Sequence, residues 1–257
     1  MTAPDELGDD RRDLRYRAVL VLDFDGTVCL GDGPVWAYAD AVLPHLAPAI
    51  GREVSGALVA YLSGHEHPNG HLDAYPDGYS AIAALAGPHV APDLLSDAYA
   101  NSRLALEDAD VDIHAPDGLA DLLDAIGRTV RRVVVTNAPS TGLDTALKRL
   151  GLAAQIDEVV SSAGKPPNSA AVLGTLLDGA PAATLMSVGD FWLNDIEPAL
   201  ELGCATAFID RSGRDLRPAH VRGRTIDELY PAVEAWARAP QAFLDSHSPI
   251  PTPDRST

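Results

Sequence analysis

Cysteine and lysine are nearly absent from this sequence of 257 residues. The two cysteines, Cys29 and Cys204, lie too far apart to suggest a metal-binding spacing or a disulfide framework, so we expect two small buried thiols. The two lysines are Lys148 and Lys165, and arginine supplies the other basic residues. Each lysine is therefore more informative here than in an average protein.

Positive charge and long apolar runs are also scarce. The formal net charge of −18 argues against nucleic acid and anionic membranes as partners, because both attract basic surfaces. No apolar stretch approaches the roughly 20 residues of a membrane-spanning helix, and the polar start lacks the apolar centre of a secretory signal. We therefore expect a cytoplasmic protein without a membrane partner; nothing in the composition indicates its oligomeric state.

Short apolar runs that are typical of buried parallel strands recur along the chain, with helix-like segments between the later ones. This alternation predicts an α/β fold with a doubly wound parallel sheet that is covered by helices on both faces. The predicted strands are AVLVL (18–22), RVVVT (132–136), IDEVV (156–160), ATLMSV (183–188) and ATAFI (205–209).

The segment 32–114 departs from this alternation. It has helical stretches near 34–47, 52–62, 79–86 and 92–108 and no convincing strand. We interpret it as a helical domain inserted into a core domain made of 1–31 and 115–239. The proline- and serine-rich segment 240–257 is expected to be a disordered tail.

Polar residues follow four of the five predicted strands. Because the carboxyl ends of parallel strands share one edge of the sheet, these side chains should converge there. Carboxylate oxygens suit Mg²⁺, which also bridges to phosphate groups, so a divalent cation and a lysine would compensate the buried acids. The residues concerned are Asp23, Asp25, Thr136, Asn137, Lys165 and Asp190.

The segments that contain these residues resemble, in order, the four motifs of the haloacid dehalogenase (HAD) superfamily. They are DFDGT (23–27), VVVTN (133–137), SSAGKPPN (161–168) and GDFWLND (189–195). The helical insertion between the first and second motifs resembles the type 1 cap of that family, a lid over the substrate. The resemblance implies a Rossmann-like core and a phosphatase that uses Mg²⁺ and an aspartyl-phosphate intermediate.

The first motif supplies the reacting carboxylates in this resemblance. Asp23 is expected to attack phosphorus as the nucleophile. Asp25 is expected to protonate the leaving oxygen and later to deprotonate water. The resemblance also places Asp25 in the metal site through its backbone carbonyl, with its side chain away from the metal.

The other motifs would hold the phosphoryl group and the metal. The resemblance implies that Thr136 and Asn137 bind the transferring phosphoryl group and that Lys165 neutralises its charge. Asp190 would complete the Mg²⁺ site with Asp23. Asp195 is expected either to hold a metal-bound water or to orient Lys165.

The predicted function is hydrolysis of a small phosphorylated metabolite, but other functions of the same fold remain open. Asp25 disfavours a dehalogenase, which does not need that acid, and the absence of lysine from the cap excludes a phosphonate-cleaving Schiff base. Two arginines against twelve acidic residues between 29 and 115 disfavour a sugar phosphomutase or phosphotransferase that must hold a second phosphate. A non-catalytic binding or regulatory module and a zinc site at His65, His67, His71 and Asp73 are the remaining alternatives.

Overall fold

A single parallel sheet forms the centre of the part of the chain that the structure describes. The computed structural model describes residues 16–63, 75, 77–211, 213 and 215–249. In these residues the sheet has six strands in the order β3-β2-β1-β4-β5-β6, all parallel. The strands are β1 (Ala18–Leu22), β2 (Val130–Val135), β3 (Glu158–Val160), β4 (Leu185–Gly189), β5 (Ala205–Ile209) and β6 (Val221–Gly223).

The predicted fold class is confirmed. The central strands are almost continuously apolar because helices cover both faces of the sheet, so no side of these strands meets water. Strand β6 was not predicted. It has only three residues, with the exposed Arg222 in the middle, and at the edge of the sheet it needs no apolar run to form.

In the described part of the segment after β1, four helices have a hydrophobic core of their own, which includes Tyr38, Leu58 and Ile82. They are α1 (Gly33–Val42), α2 (Pro48–Leu62), α3 (Gly78–Ala86) and α4 (Pro92–Leu104). The first is shorter than expected because Pro44 has no amide hydrogen to donate, and the chain continues as a 3-10 turn. The predicted helical stretches are thus present, whereas the exact domain boundaries stay a prediction.

Seven further helices follow among the residues that the structure describes, and they pack on the two faces of the sheet. They are α5 (Leu119–Ile126), α6 (Leu143–Arg149), α7 (Ser169–Leu177), α8 (Trp192–Asp195), α9 (Glu197–Glu201), α10 (Tyr230–Arg238) and α11 (Pro240–Ser246).

Helix α11 contradicts the expectation that the whole segment 240–257 is disordered. Phe243 of α11 is buried in the same hydrophobic cluster as Trp236 of α10. Pro240 suits the first turn of a helix, where its missing amide hydrogen costs nothing. The prediction was therefore wrong for 240–246, because it relied on the proline-rich composition and did not consider that Phe243 could pack on the core. Residues 250–257 lie outside the described part.

Two expectations from composition can be compared with the structure. Cys29 and Cys204 are buried free thiols, as expected. In the described residues, none of the helices combines the length and the apolar character needed to span a membrane.

Candidate active site

The hydrogen-bond ladder of the sheet continues past the ends of its central strands and positions the first polar side chains. The amide of Asp23 donates to the carbonyl of Val188 at 3.0 Å, and the amide of Thr136 donates to the carbonyl of Val160 at 2.9 Å. Asp23 and Thr136 therefore keep the geometry of strand residues. Their side chains face the same edge of the sheet because the strands are parallel.

Two glycines allow acidic groups to approach the backbone closely. A Cβ atom on Gly26, whose φ is +83°, would lie 2.3 Å from Oδ2 of Asp190. A Cβ atom on Gly189 would lie 2.4 Å from Cγ of Asp195. Heavy atoms do not approach this closely, so the glycines of the first and fourth motifs make room for the carboxylates of the site.

Lys165 joins the motifs. Its Nζ donates to Oδ1 of Asp23 and Oδ1 of Asp195, each at 2.7 Å, and to the carbonyl of Val135 at 2.8 Å. The ammonium group has three donors, and these three acceptors use all of them. Although burial lowers the pKa of Lys165, the carboxylates of Asp195 and Asp23 raise it above its ordinary value. The side chain therefore stays a cation in contact with the predicted nucleophile.

Asn137 holds the backbone of that lysine. Its Nδ2 donates to the carbonyl of Lys165 at 2.9 Å, and its Oδ1 accepts from the Lys165 amide at 2.6 Å. This two-point contact fixes the loop between β3 and α7. Both ends of the Asn137 amide are engaged here, which gives it a positioning role; its predicted contact with the phosphoryl group stays a prediction. Thr136 is buried and lines the cavity described below.

Asp195 has both carboxylate oxygens engaged by protein groups. Besides the contact with Lys165, its Oδ2 accepts from the Phe191 amide at 3.1 Å. Its side chain is only 3% exposed. Of the two roles expected from the sequence, this geometry favours orientation of Lys165.

The donor set fits a divalent cation. One carboxylate oxygen from each of Asp23, Asp190 and Asp195 lies within 4.8 Å of the other two. Burial raises the pKa of Asp190, although Arg211, 3.0 Å away, opposes this shift. Lys165 and Arg211 together leave one of the three negative charges uncompensated, and all three acids offer the hard oxygen ligands that Mg²⁺ prefers.

The carboxylate of Asp25 points away from this acidic cluster and toward α4. Nη1 of Arg103 donates to its Oδ1 at 3.0 Å and to its Oδ2 at 3.2 Å. Burial raises the pKa of Asp25, and the arginine opposes that shift. Both oxygens of this carboxylate are thus engaged by Arg103, and the expectation that the Asp25 side chain stays off the metal remains a prediction.

A cavity of about 410 Å³ opens between these residues and the α1–α4 helices. Its floor contains the predicted site residues of the core except Asp195. Its roof comes from the helical insertion and includes the side chains of Tyr61, Tyr79, Tyr99 and Asp77. The size suits a small metabolite.

The sequence reasoning missed two cations of this site. Arg211 lies two residues after the end of β5 and pairs with Asp190; the rule applied to the other strand ends would have found it. Arg103 could not be assigned from the sequence, where it was only counted as one of two arginines in the insertion. Residues 65, 67, 71 and 73 lie outside the described part, so the zinc alternative is not addressed by the structure.

Comparisons with known proteins support the fold and leave the chemistry open. No family model and no curated protein matches the sequence. Among solved structures, YfnB from Bacillus subtilis, a HAD-hydrolase solved with bound magnesium, is 18% identical with a TM-score of 0.56; the match covers 84% of this chain and 98% of that one. A HAD phosphatase from Thermococcus onnurineus is 18% identical with a TM-score of 0.51, over 84% and 97% of the two chains.

Dehalogenases are also among the similar structures. The L-2-haloacid dehalogenase RSc1362 is 16% identical with a TM-score of 0.52, and the match covers 85% of this chain and 99% of that one. At these identities the likeness concerns the fold. The chain therefore has the α/β fold of HAD-like hydrolases, a fold that phosphatases and dehalogenases share.

Proposed function

We propose that this chain, which has the fold of HAD-like hydrolases, is a Mg²⁺-dependent phosphatase that hydrolyses a small phosphorylated metabolite. One observation carries the proposal: the single ammonium group of Lys165 contacts both Asp23 and Asp195, with Asp190 beside them. The first, third and fourth motifs thus meet at one ammonium group, and the carbonyl of Val135 in the second motif accepts from the same group. A non-catalytic module would not need this concentration of buried charge.

The first half of the reaction transfers the phosphoryl group to the enzyme. An oxygen of Asp23 attacks phosphorus, the bond to the leaving oxygen breaks with its electron pair, and Asp25 gives that oxygen a proton. Lys165 and the hydroxyl of Thr136 stabilise the charge on the phosphoryl oxygens. The products of this half are the free alcohol and an aspartyl-phosphate.

The second half regenerates the enzyme. A water molecule gives a proton to Asp25 and attacks phosphorus, and the bond between phosphorus and the Asp23 oxygen breaks. Asp23, Asp190 and the backbone carbonyl of Asp25 would hold Mg²⁺, which supplies charge neutralisation for the phosphoryl group when bound. Asp195 and Asn137 keep Lys165 in position during both halves.

A dehalogenase is the second candidate, because dehalogenases have the same fold. In both reactions an aspartate is the nucleophile, but a halide leaves without a proton. Asp25 lines the same cavity as Asp23, and its carboxylate favours the reaction that needs an acid.

The proposal is tested with p-nitrophenyl phosphate and Mg²⁺ on the wild type and on Asp23→Asn. We expect the substitution to lower kcat by at least about 10³, since the amide is a poor nucleophile, and we expect EDTA to stop the wild-type reaction reversibly. Asp144→Asn, which alters an exposed acid on α6, is the matched control and should keep wild-type turnover. Equal or absent turnover in wild type and Asp23→Asn would favour the binding module. Halide release from a 2-haloacid without Mg²⁺ would favour the dehalogenase.

A further inference from the structure

The guanidinium of Arg103 is completely enclosed between the helical insertion and the core. Its side chain is 0% exposed, at the end of α4, while its partner Asp25 belongs to the turn after β1. Nη1 contacts both oxygens of Asp25 and also donates to the hydroxyl of Tyr79 at 3.1 Å. One cation from the insertion thus determines the direction of the predicted acid/base group.

Burial of this arginine is expensive for the fold. Its Nε and Nη2 atoms have no hydrogen-bond partner within the described residues. The guanidinium carbon lies 5.9 Å and 5.8 Å from the ring centroids of Phe24 and Tyr79, which compensates only part of the lost hydration. An apolar side chain of similar length would fill the same space without unpaired donors. Stability alone therefore does not account for an arginine here.

The end of α4 is held against the core, so the arginine reaches a fixed position. A Cβ atom on Gly142, which directly precedes α6, would lie 2.4 Å from the carbonyl oxygen of Arg103. The end of α4 and the start of α6 are therefore closely packed. The guanidinium of Arg149 on α6 also binds the carbonyls of Leu106 at 2.9 Å and Val111 at 2.9 Å. These contacts fix the segment that follows α4 to the core domain.

We propose that Arg103 is a positioning residue that orients the Asp25 carboxylate for proton transfer and makes this orientation depend on the docking of the helical insertion. The inference rests on the proposed phosphatase function. Arg103 keeps its own protons throughout. The transferred proton passes between Asp25 and the leaving oxygen as the phosphorus–oxygen bond breaks, and later from water to Asp25.

Leaving-group chemistry separates this role from a structural one. An alkoxide is a poor leaving group and needs the proton of Asp25, whereas p-nitrophenolate is a stabilised anion that leaves without it. The ratio kcat/KM reports transition-state stabilisation relative to free enzyme and substrate. Misorientation of Asp25 should therefore lower kcat/KM for an alkyl phosphate much more than for p-nitrophenyl phosphate, whereas a loss of folded enzyme lowers both equally.

The experiment measures kcat/KM for glycerol 3-phosphate and p-nitrophenyl phosphate with Mg²⁺ in wild type, Arg103→Met and Arg103→Lys. We expect Arg103→Met to lower kcat/KM for glycerol 3-phosphate about 10² fold, which is within the range that acid/base groups contribute. The loss of kcat/KM for p-nitrophenyl phosphate should be smaller by a factor of at least about ten. Arg103→Lys retains a cation and should give an intermediate ratio. Equal losses on both substrates, or no loss, would overturn the proposal.

Arg132→Met is the matched control, because Arg132 is also a buried arginine but pairs with Asp157 away from the cavity. It should lower the melting temperature and leave the ratio of the two kcat/KM values unchanged.

If Arg103→Met does not fold, Tyr79→Phe is the second variant, because it removes only the hydroxyl that contacts Nη1 of Arg103. It should shift the ratio of the two kcat/KM values in the same direction by about threefold; an unchanged ratio would count against the proposal. Wild-type protein inactive on both substrates would instead refute the phosphatase function itself.

Discussion

The two walls of the cavity are built by different means. The core wall consists of side chains that follow the ends of parallel strands, and its charged groups contact one another through Lys165. The wall formed by α1–α4 presents tyrosines and acids, and behind it, among the residues that the structure describes, the buried cation is Arg103. Chemistry is thus concentrated in the core, and the shape and charge of the space above it come from the insertion.

This difference shows why one half of the site is easier to read than the other. The direction of a strand determines where the side chain of the next residue lies, so a short motif at a strand end is enough to predict that position. A helix offers several faces, and the packing partner decides which residue reaches the cavity. Changes in the core wall should accordingly abolish turnover, whereas changes in the other wall should alter the choice of substrate.

The largest effect is expected from Lys165→Met. The substitution leaves the buried acids Asp23 and Asp195 without their shared cation, so we expect kcat/KM for p-nitrophenyl phosphate to fall by at least about 10³ and the free energy of unfolding to fall by about 3–5 kcal/mol. Steady-state kinetics measure kcat/KM, and urea unfolding measures the free energy of unfolding. Lys148→Met is the matched control: that lysine is exposed and pairs with Asp144, so its removal should change stability by less than about 1 kcal/mol. Activity within threefold of wild type would remove Lys165 from the proposed mechanism.

A smaller effect is expected from Gly189→Ala. The added methyl group would have to displace the Asp195 carboxylate, which would shift the ammonium of Lys165 with it. We expect kcat/KM to fall about 10² fold, because small misplacements of a site have effects of this order. Gly174→Ala on α7 is the control, since a Cβ atom there meets nothing within 4 Å. It should be neutral or stabilise the helix by up to about 1 kcal/mol, and equal behaviour of the two variants would contradict the close-packing argument.

The smallest effect concerns the charge of the other wall. Asp77 lines the cavity, and a like charge at about 8 Å costs about 2 kcal/mol at an effective dielectric near 20. We therefore expect kcat/KM for glycerol 3-phosphate to exceed that for 3-phosphoglycerate, which adds a carboxylate, by about 30-fold. Asp77→Asn retains helix capping and should reduce this preference, whereas Asp93→Asn, an exposed acid at the start of α4, should not. A preference that survives Asp77→Asn unchanged would assign the discrimination to other residues.

Most of the core could be predicted because its signals are local. The apolar runs of the central strands and the polar residues that follow them led to the parallel sheet and to the cluster of Asp23, Lys165 and Asp190. The short edge strand β6 and helix α11 were missed, since three residues or a single buried Phe243 form no recognisable pattern. Their stability comes from neighbours that are distant in sequence.

The sequence by itself determined which groups stand at the strand ends, because strand direction and the shared edge of a parallel sheet leave them little choice. Only the tertiary structure decided their partners: that Asn137 holds the Lys165 backbone and that Arg103 meets Asp25. The physical reason is that these contacts join segments 28 and 78 residues apart. Such a pairing depends on how helices dock on the sheet, and no local periodicity records it.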